Sequence, residues 1–514
     1  MNRRAVGYIA AVLWFLLALS AHAQKFATGV VFHDMNRNGV RDAGEPGIAN
    51  VLVSNQREVV RTDRQGRYRL PVDDDTILFV IKPRGWQVPL DENNLPKHYH
   101  IHKPNGSPKL RFPGVPPTGE LPESVDFALV PNRESSRFTA VILGDTQVRD
   151  MTDLGYFAYD VVRELVGIRQ AAFATILGDI VFDGLQMFEP LNRVMAQTGL
   201  PWYPVMGNHD MNHDTSDDRD ADETFERVYG TPYYAFEYGN VNFIVLDSVD
   251  WYGNGYRAGL GEMQLAFIRN YLRHVPRSNL VVLLMHIPLA ELPEAERKEL
   301  FDILAPFPNT LSFSAHTHIQ FHQFFTREQG WKGSRPHHHV NVVTACGSWW
   351  TGVPDPEGIP HTTMRDGAPN GYLIAEFNGN RYTVRFKAAR RPESYQMNIY
   401  APDTVPASDT ANTRVLVNVF FGSEKSTVEM RVGETGEWIT MTRVQEPDPA
   451  YAEMKKLEEQ YTLPGRKLPG LINSPHLWAA NLPANLPRGT YLLHVRTTDM
   501  FGRTWSDCRI LSVR

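Results

Sequence analysis

Four apolar runs in the middle of the chain, TAVILGD, AAFATILGD, VNFIVLDS and NLVVLLMH, each stop abruptly at a polar or acidic residue. Amphipathic stretches near Gly155–Ile168, Glu262–Val275 and Leu292–Leu304 alternate with them. Short continuous apolar runs read as strands buried on both faces, and intervening helices imply α/β layers. In an open α/β sheet the groups just past the strand ends gather at one edge, where ligands bind. The residues that follow these runs are therefore the first place to look for chemistry.

They carry an unusual mixture of donors. Asp145 ends the first run, Asp179 the second, and Asp183 follows within ILGDIVFDG. Next come MGNHD, with Asn208, His209 and Asp210, then His286 at the end of LLMH, then SAHTHIQ with His316 and His318. Singly, a Gly-Asp is a turn and a strand histidine is a core residue. Together, two carboxylates, one amide oxygen and three imidazoles make a ligand set for two metal ions. In an extended segment His316 and His318 point to the same side, so each can serve a different ion.

The ordered blocks Asp-x-Gln, Gly-Asp, Gly-Asn-His-Asp, His and Ala-His-x-His, spanning Ala140 to about Phe386, resemble the calcineurin-like metallophosphoesterase superfamily. The resemblance implies a central four-layer α/β/β/α sandwich. It implies that Asp145, Gln147, Asp179 and His318 hold one divalent ion and that Asp179 bridges to a second, held by Asn208, His286 and His316. The ions would be Mn, Fe, Zn or Mg, and a hydroxide between them would attack phosphorus. His209 would stabilise the transition state or protonate the leaving oxygen, with Asp183 orienting it.

Five positions depart from the pattern. Gln147 stands where most members have His, a harder and weaker donor for zinc-like ions that favours Mn²⁺ or Mg²⁺. Ala315 replaces the usual Gly before His316. Gly184 and Met206 occupy the places of the two phosphate-clamping arginines of protein phosphatases, which argues against a phosphoprotein substrate, and Asp183 comes one residue later than the spacing at which it would orient His209. The long Gly- and Pro-rich run RPHHHVNVVTACGSWWTGVPDPEGIPHTTMRDGAPNGY reads either as a surface loop or as a substrate wall built from His338, His339, Trp349, Trp350, Asp366 and Asn370. It is similar to a segment of secreted bacterial members with extra β-domains at both ends.

Both flanks have strand patterning. From residue 24 to 133 short alternating stretches such as GRYRLPV lie between turn signals and lead into a Pro-rich connector, as in a β-sandwich. From 401 to 514, RVLVNVFFG, STVEMRVG and GTYLLHVRTTD read as a second sandwich. The middle domain then spans 134–400. The first flank also holds DMNRNGVRDAGE, which satisfies the EF-hand loop pattern with Asp34, Asn36, Asn38, Val40 through its carbonyl, Asp42 and Glu45. Without flanking helices, such a loop implies one structural calcium rather than a sensor.

A chain of 514 residues is too long for one core, since single cores stop growing at roughly 250–300 residues. Residues 1–23 have the layout of a secretory signal, with Arg3-Arg4, an apolar stretch from Ala5 to Leu19 and the small-x-small site Ala21-His22-Ala23. This predicts a periplasmic or extracellular protein without an integral membrane segment after cleavage. A net charge of -6 and no basic stripe argue against a nucleic-acid polymer as partner. Two cysteines, Cys346 and Cys508, make no disulfide framework and leave their pairing open, as is the oligomeric state. The expected activity is hydrolysis of a small or lipid-linked phosphomonoester or phosphodiester. The alternative is a degenerate, non-catalytic binding or adhesion module.

Overall fold

The computed structural model describes residues 24–168 and 170–514; the signal-peptide reading of residues 1–23 lies outside the described residues. Two stacked sheets form the middle of the molecule. One has the order Trp202–Val205, Ala171–Leu177, Arg137–Leu143, Gly371–Asn378, Arg381–Ala388. The other has the order Tyr234–Tyr238, Val241–Val245, Leu280–Leu284, Thr310–Ser314, His337–Asn341, Phe321–Phe325. The apolar runs supply the parallel part of each sheet; antiparallel strands close both edges of the second sheet and one edge of the first, whose other edge is the parallel strand Trp202–Val205.

The sheets face each other across aromatic side chains. Phe173 packs edge-on against Phe236 and Phe243 at 5.3 and 5.1 Å, and Phe243 packs against Phe377 at 5.5 Å. Helices lie outside both sheets. On the first they include Met151–Phe157 and Phe188–Ala196, and on the second Gly261–Leu272 and Glu294–Leu304. This is the four-layer α/β/β/α arrangement. Because strands ending at Leu143, Leu177 and Val205 and strands ending at Leu284 and Ser314 run to the same edge, the polar blocks of both sheets meet there.

The N-terminal region is a pair of four-stranded sheets around Val31, Val53, Leu70, Leu78 and Phe127. Its strand Thr76–Ile81 is buried on both faces, because Phe79 and Ile81 turn outward into the central core, with Phe79 edge-on to Phe267 at 5.5 Å. The C-terminal region pairs a four- and a five-stranded sheet around Val415, Val417, Met430, Trp478 and Leu493. It contains a helix, Pro449–Gln460, where strand patterning alone was expected. The start signal is local: the Asp448 side chain accepts from Tyr451 N at 2.9 Å, and Pro449 supplies a preset φ in the first turn. Cys346 is buried, Cys508 is exposed and both are free thiols. Among the described residues no helix is long and apolar enough to cross a membrane.

Candidate metal centre

At the shared edge the loop after each strand is pulled tight. Asp145, Gln147, Asp179, His316 and His318 all have positive φ, at 30°, 39°, 49°, 68° and 53°. Non-glycine residues in this region are strained, and such strain persists only where the surroundings over-determine it. Two glycines make the crowding possible. A Cβ on Gly178 would sit 2.5 Å from His286 Nδ1, and one on Gly207 would sit 2.1 Å from Asp179 N. The Gly of each Gly-Asp and Gly-Asn block is thus a clearance for the neighbouring ligand loop.

Asp179, His286 and His316 bring ligand atoms within 4.8 Å of one another. His286 Nε2 lies 3.1 Å from Asp179 Oδ1, 3.1 Å from Asn208 Oδ1 and 3.1 Å from His316 Nδ1. The Leu177 carbonyl, 2.8 Å from His286 Nδ1, can only accept, so Nδ1 carries the hydrogen and Nε2 faces the Asp179 and Asn208 oxygens and His316 Nδ1. Such a cluster requires positive charge at its centre. Burial opposes charging His286, but Asp179 and Asp145 outweigh it and push the imidazole up to about 9. Burial and the neighbouring His286 hold His316 down at about 4.

The other half of the centre has the same character. His318 Nδ1 donates to the Gly347 carbonyl at 2.6 Å, which leaves Nε2 facing Asp145 Oδ1 at 3.5 Å. That carboxylate oxygen is buried with no hydrogen-bond partner, while Asp145 Oδ2 accepts from His316 N at 3.1 Å. Gln147 lies between the halves. Its Nε2 donates to Asp179 Oδ2 at 2.8 Å, and its Oε1 accepts from the Cys346 thiol at 3.5 Å. The amide nitrogen, rather than the oxygen expected of a ligand, faces the carboxylate.

His209 is placed differently from the other imidazoles. Its side chain is 23% exposed, against 0% for His286 and 1% for His318, so solvent reaches it at the rim. Its ring stacks on Phe182 at 4.2 Å, Nδ1 lies 2.7 Å from Asp183 Oδ1, and Nε2 lies 4.0 Å from Asp179 Oδ2. The late position of Asp183 is absorbed by its left-handed backbone, φ 61°, which returns the carboxylate to the ring. Burial works against a charge on His209, but Asp179 and Asp183 raise it above the usual range.

Two supporting residues were not assigned from the sequence. Asp210 accepts from Gly207 N, Ile180 N and Val181 N at 3.0 to 3.1 Å and so ties the second and third ligand loops together. His213 Nε2 donates to the Asn208 carbonyl at 2.8 Å, its Nδ1 lies 3.5 Å from Asp183 Oδ1, and its ring stacks on Trp251. The doubled triplet Asn208-His209-Asp210, Asn212-His213-Asp214 was its signal in the sequence.

The substrate wall read from residues 335–372 is largely corrected. Only Trp349 reaches the centre, stacked on His318 at 4.0 Å. Trp350 is buried and donates from Nε1 to the Thr146 carbonyl. His338 and His339 sit inside the strand His337–Asn341, which has sheet neighbours on both sides, so neither lines a cleft. Asp366 accepts from Gln320 N at 2.6 Å and Ala368 N at 3.0 Å and meets His476 Nε2 at 3.1 Å. Asn370 donates to Asp160 at 2.5 Å and to the Ala345 carbonyl at 2.9 Å.

In the loop read as a calcium site, internal bonds engage the acidic side chains. Asp34 accepts from Asn38 N and Gly39 N, Glu45 from Met35 N and Asp42 N, and Asp42 from the Asn36 and Asn38 amides. Val40 donates its N–H to Asn38 Oδ1.

Stacked sheets that bring Asp, Asn and His to one edge define the metal-dependent phosphoesterase class of α/β protein. Residues 138–320 match the model of calcineurin-like phosphoesterase. Residues 35–113 and 339–505 match the models of the N terminal and the C terminal of calcineurin-like phosphoesterase. Residues 138–320 thus carry a calcineurin-like phosphoesterase domain, flanked by matches to the N-terminal and C-terminal parts of that family. No curated protein matches it. Among solved structures it is similar to a purple acid phosphatase isolated from yellow lupin (Lupinus luteus) seeds, at 13% identity, TM-score 0.37, over 66% of this chain and 67% of that one. It is also similar to the sulfane dehydrogenase SoxCD from Paracoccus pantotrophus, at 10% identity, TM-score 0.11, over 34% of each chain. Likenesses this distant carry no chemistry.

Proposed function

We propose that the protein hydrolyses a phosphomonoester or phosphodiester at a two-metal centre, with Asp145, Asp179 and His318 holding one ion and Asp179, Asn208, His286 and His316 the other. The observation that carries this reading is the crowding of metal-ligand atoms: Asp145 Oδ1 is orphaned, and Asp179 Oδ1, Asn208 Oδ1 and His316 Nδ1 each lie 3.1 Å from His286 Nε2. Buried acceptors facing one another fit a cation and little else. When bound, two divalent cations supply Lewis-acid activation of water and neutralise the phosphoryl oxygens. Only two carboxylates face them, so the centre keeps a positive charge that attracts an anionic ester.

The chain's own groups do the rest. Main-chain carbonyls fix the tautomers of His286 and His318 and so aim their lone pairs. His209, held by Asp183 and Phe182 and kept protonated by the surrounding carboxylates, presents Nε2 at the solvent rim, where a leaving oxygen takes up a proton. Gln147 donates to Asp179 as it stands; ligation through its oxygen needs the amide to turn over, which a cation at Asp145 would favour. The substrate is a small or lipid-linked phosphate ester, and the leader-like residues 1–23 support a periplasmic or extracellular location.

Metal analysis of the purified protein, with hydrolysis of p-nitrophenyl phosphate and bis-p-nitrophenyl phosphate in added Mn²⁺, tests the reading. Turnover of either ester with about two ions per chain is expected. Bound metal with no turnover of either ester would make the chain a non-catalytic metal-binding module, the reading that the Gln147 orientation favours.

A further inference from the structure

The run HHHVN and the strand before the His-x-His loop form one object. Thr310–Ser314 and His337–Asn341 are parallel neighbours, with Ser312 opposite His339 and Ser314 opposite Asn341. Side chains alternate along a strand, so Thr310, Ser312 and Ser314 share a face with His337, His339 and Asn341. Leu311, Phe313 and Val340 take the other face and join the apolar core. The polar face is buried, and His337 on it lies among Phe301, Phe325 and Trp331.

Every polar group on that face is satisfied by the next. Thr310 Oγ1 meets His337 Nδ1 at 2.8 Å, and His337 Nε2 meets Ser312 Oγ at 2.7 Å. Ser312 Oγ meets His339 Nδ1 at 2.7 Å, and His339 Nε2 meets Ser314 Oγ at 2.9 Å. Ser314 Oγ donates to Asn341 Oδ1 at 2.7 Å, and Asn341 Nδ2 donates to Thr317 Oγ1 at 2.8 Å and to the Ile319 carbonyl at 2.6 Å.

The direction of this chain is determined. The Ile319 carbonyl accepts only, so Asn341 must turn Nδ2 toward it and Oδ1 toward Ser314. Ser314 then donates to Asn341 and accepts from His339 Nε2, so His339 Nδ1 accepts from Ser312. The same step repeats at His337 and ends with the Thr310 hydroxyl as donor. Burial holds both imidazoles at about 3, so each keeps one donor and one acceptor at neutral pH. Six side chains thus have one mutually consistent hydrogen-bond order, and it terminates on the segment between His316 and His318.

That segment is where support is needed. His316 and His318 are both left-handed, with φ of 68° and 53°, and apart from this chain the turn is tied by His316 N to Asp145 Oδ2, Thr317 N to the Ala315 carbonyl and His318 Nδ1 to the Gly347 carbonyl. We infer that the Thr310–His337–Ser312–His339–Ser314–Asn341 chain is a positioning device that holds Thr317 and Ile319 so that both imidazoles face the centre before any cation arrives. It rests on the two-metal reading above, and Asn341 is its positioning residue. The three-histidine run thus serves the site from beneath the sheet.

The test uses the full chain and two readouts: hydrogen–deuterium exchange of the 315–319 amides in metal-free protein, and Mn²⁺ affinity from the electron paramagnetic resonance signal of free Mn²⁺. Ser314→Thr and Ser314→Val have the same shape and differ by one hydroxyl. Ser314→Val is expected to speed loop exchange and to weaken Mn²⁺ binding by about tenfold or more relative to Ser314→Thr, the range for losing a group that orients a ligand. Asn341→Ala should do the same or more. Thr310→Val, at the far end, should lower thermal stability and leave Mn²⁺ affinity within about twofold. Equal exchange and affinity in the Ser314 pair, or equal Mn²⁺ losses from Thr310→Val and Asn341→Ala, would overturn the positioning role. Absence of Mn²⁺ binding by the wild type would defeat the two-metal reading instead, while the exchange comparison still decides whether the chain holds the loop.

Discussion

The edge at Asp145 and the loop at Asp34 are both dense in Asp and Asn, yet they solve opposite problems. In the loop the acidic side chains meet backbone N–H groups or side-chain amides from within the loop itself. At the edge, Asp145 Oδ1 has no donor, and Asp179, Asn208, His286 and His316 turn acceptors toward one another. An acidic cluster that closes its own hydrogen bonds is a stable turn, and one that leaves them open is prepared for something positive. The buried serine–histidine chain is a third case, with two imidazoles and a donor for every acceptor.

The comparison breaks most visibly at Asp179. Asp179→Asn should lower ester hydrolysis by roughly a thousandfold or more and reduce bound metal together, measured by turnover and metal analysis. Near-normal turnover would remove Asp179 from the bridging position. His209→Ala separates chemistry from metal holding: kcat should fall by about a hundredfold or more with metal content unchanged, and the loss should shrink for esters with good leaving groups. A matching loss of metal would make His209 part of the cation site.

Acid tests the buried, neutral histidines, among them His322, whose Nδ1 lies 3.0 Å from His338 Nε2. Burial pushes His322, His337 and His339 down to about 3, so each folded-state value lies below the ~6.5 of an unfolded chain. Their contribution is complete above that value and is lost as pH falls toward the folded value, at about 1.4 kcal/mol per pH unit for each group. Three such groups cost about 4 kcal/mol per unit, enough to unfold a domain of ordinary stability within a few units. Thermal melts between pH 7 and 4 should therefore fall steeply, and a flat profile to pH 4 would show that these rings are not buried and neutral.

Smaller effects sharpen the contrast. Gln147→His should tighten zinc-like ions by about tenfold, read by competition against Mn²⁺, because imidazole is a better donor than an amide whose nitrogen faces Asp179. Unchanged metal preference would leave Gln147 as a hydrogen-bond donor only. For the Asp34–Glu45 loop, EDTA should leave amide exchange of residues 35–45 unchanged while exchange rises at 145–147 and 316–318. Asp34→Ala should cost about 1–3 kcal/mol through its two lost amide partners. Exchange in the loop that responds to EDTA would instead bear out the calcium reading of its sequence.

Much of the fold was legible because the signals are local. The apolar runs ending at Asp145 and Asp179 became parallel strands, and the polar residues after them reached one edge. The helix Pro449–Gln460 was missed although Asp448-Pro449 marked its start, because strand patterning dominates its surroundings. His338 and His339 were misplaced for a different reason. Nothing in HHHVN reveals what covers each face of the strand, and that packing buries these rings, with His338 stacked on Phe324 and Tyr382 and His339 bonded to Ser312 and Ser314.

The sequence by itself determined the inventory: which donors exist, their order and the strand ends that carry them. Spacing along a chain fixes which face a residue occupies and how near a turn it lies. Only the tertiary structure decided which acceptors were left without donors. It put Asp183 on His209 despite its late position, turned the Gln147 nitrogen toward Asp179, and closed the Asp34 loop on its own amides. The first two outcomes depend on side chains far apart in the chain, as does the reach of His286 between Leu177 and Asn208. Hydrogen-bond satisfaction is a property of all partners at once, so no single stretch of sequence contains it.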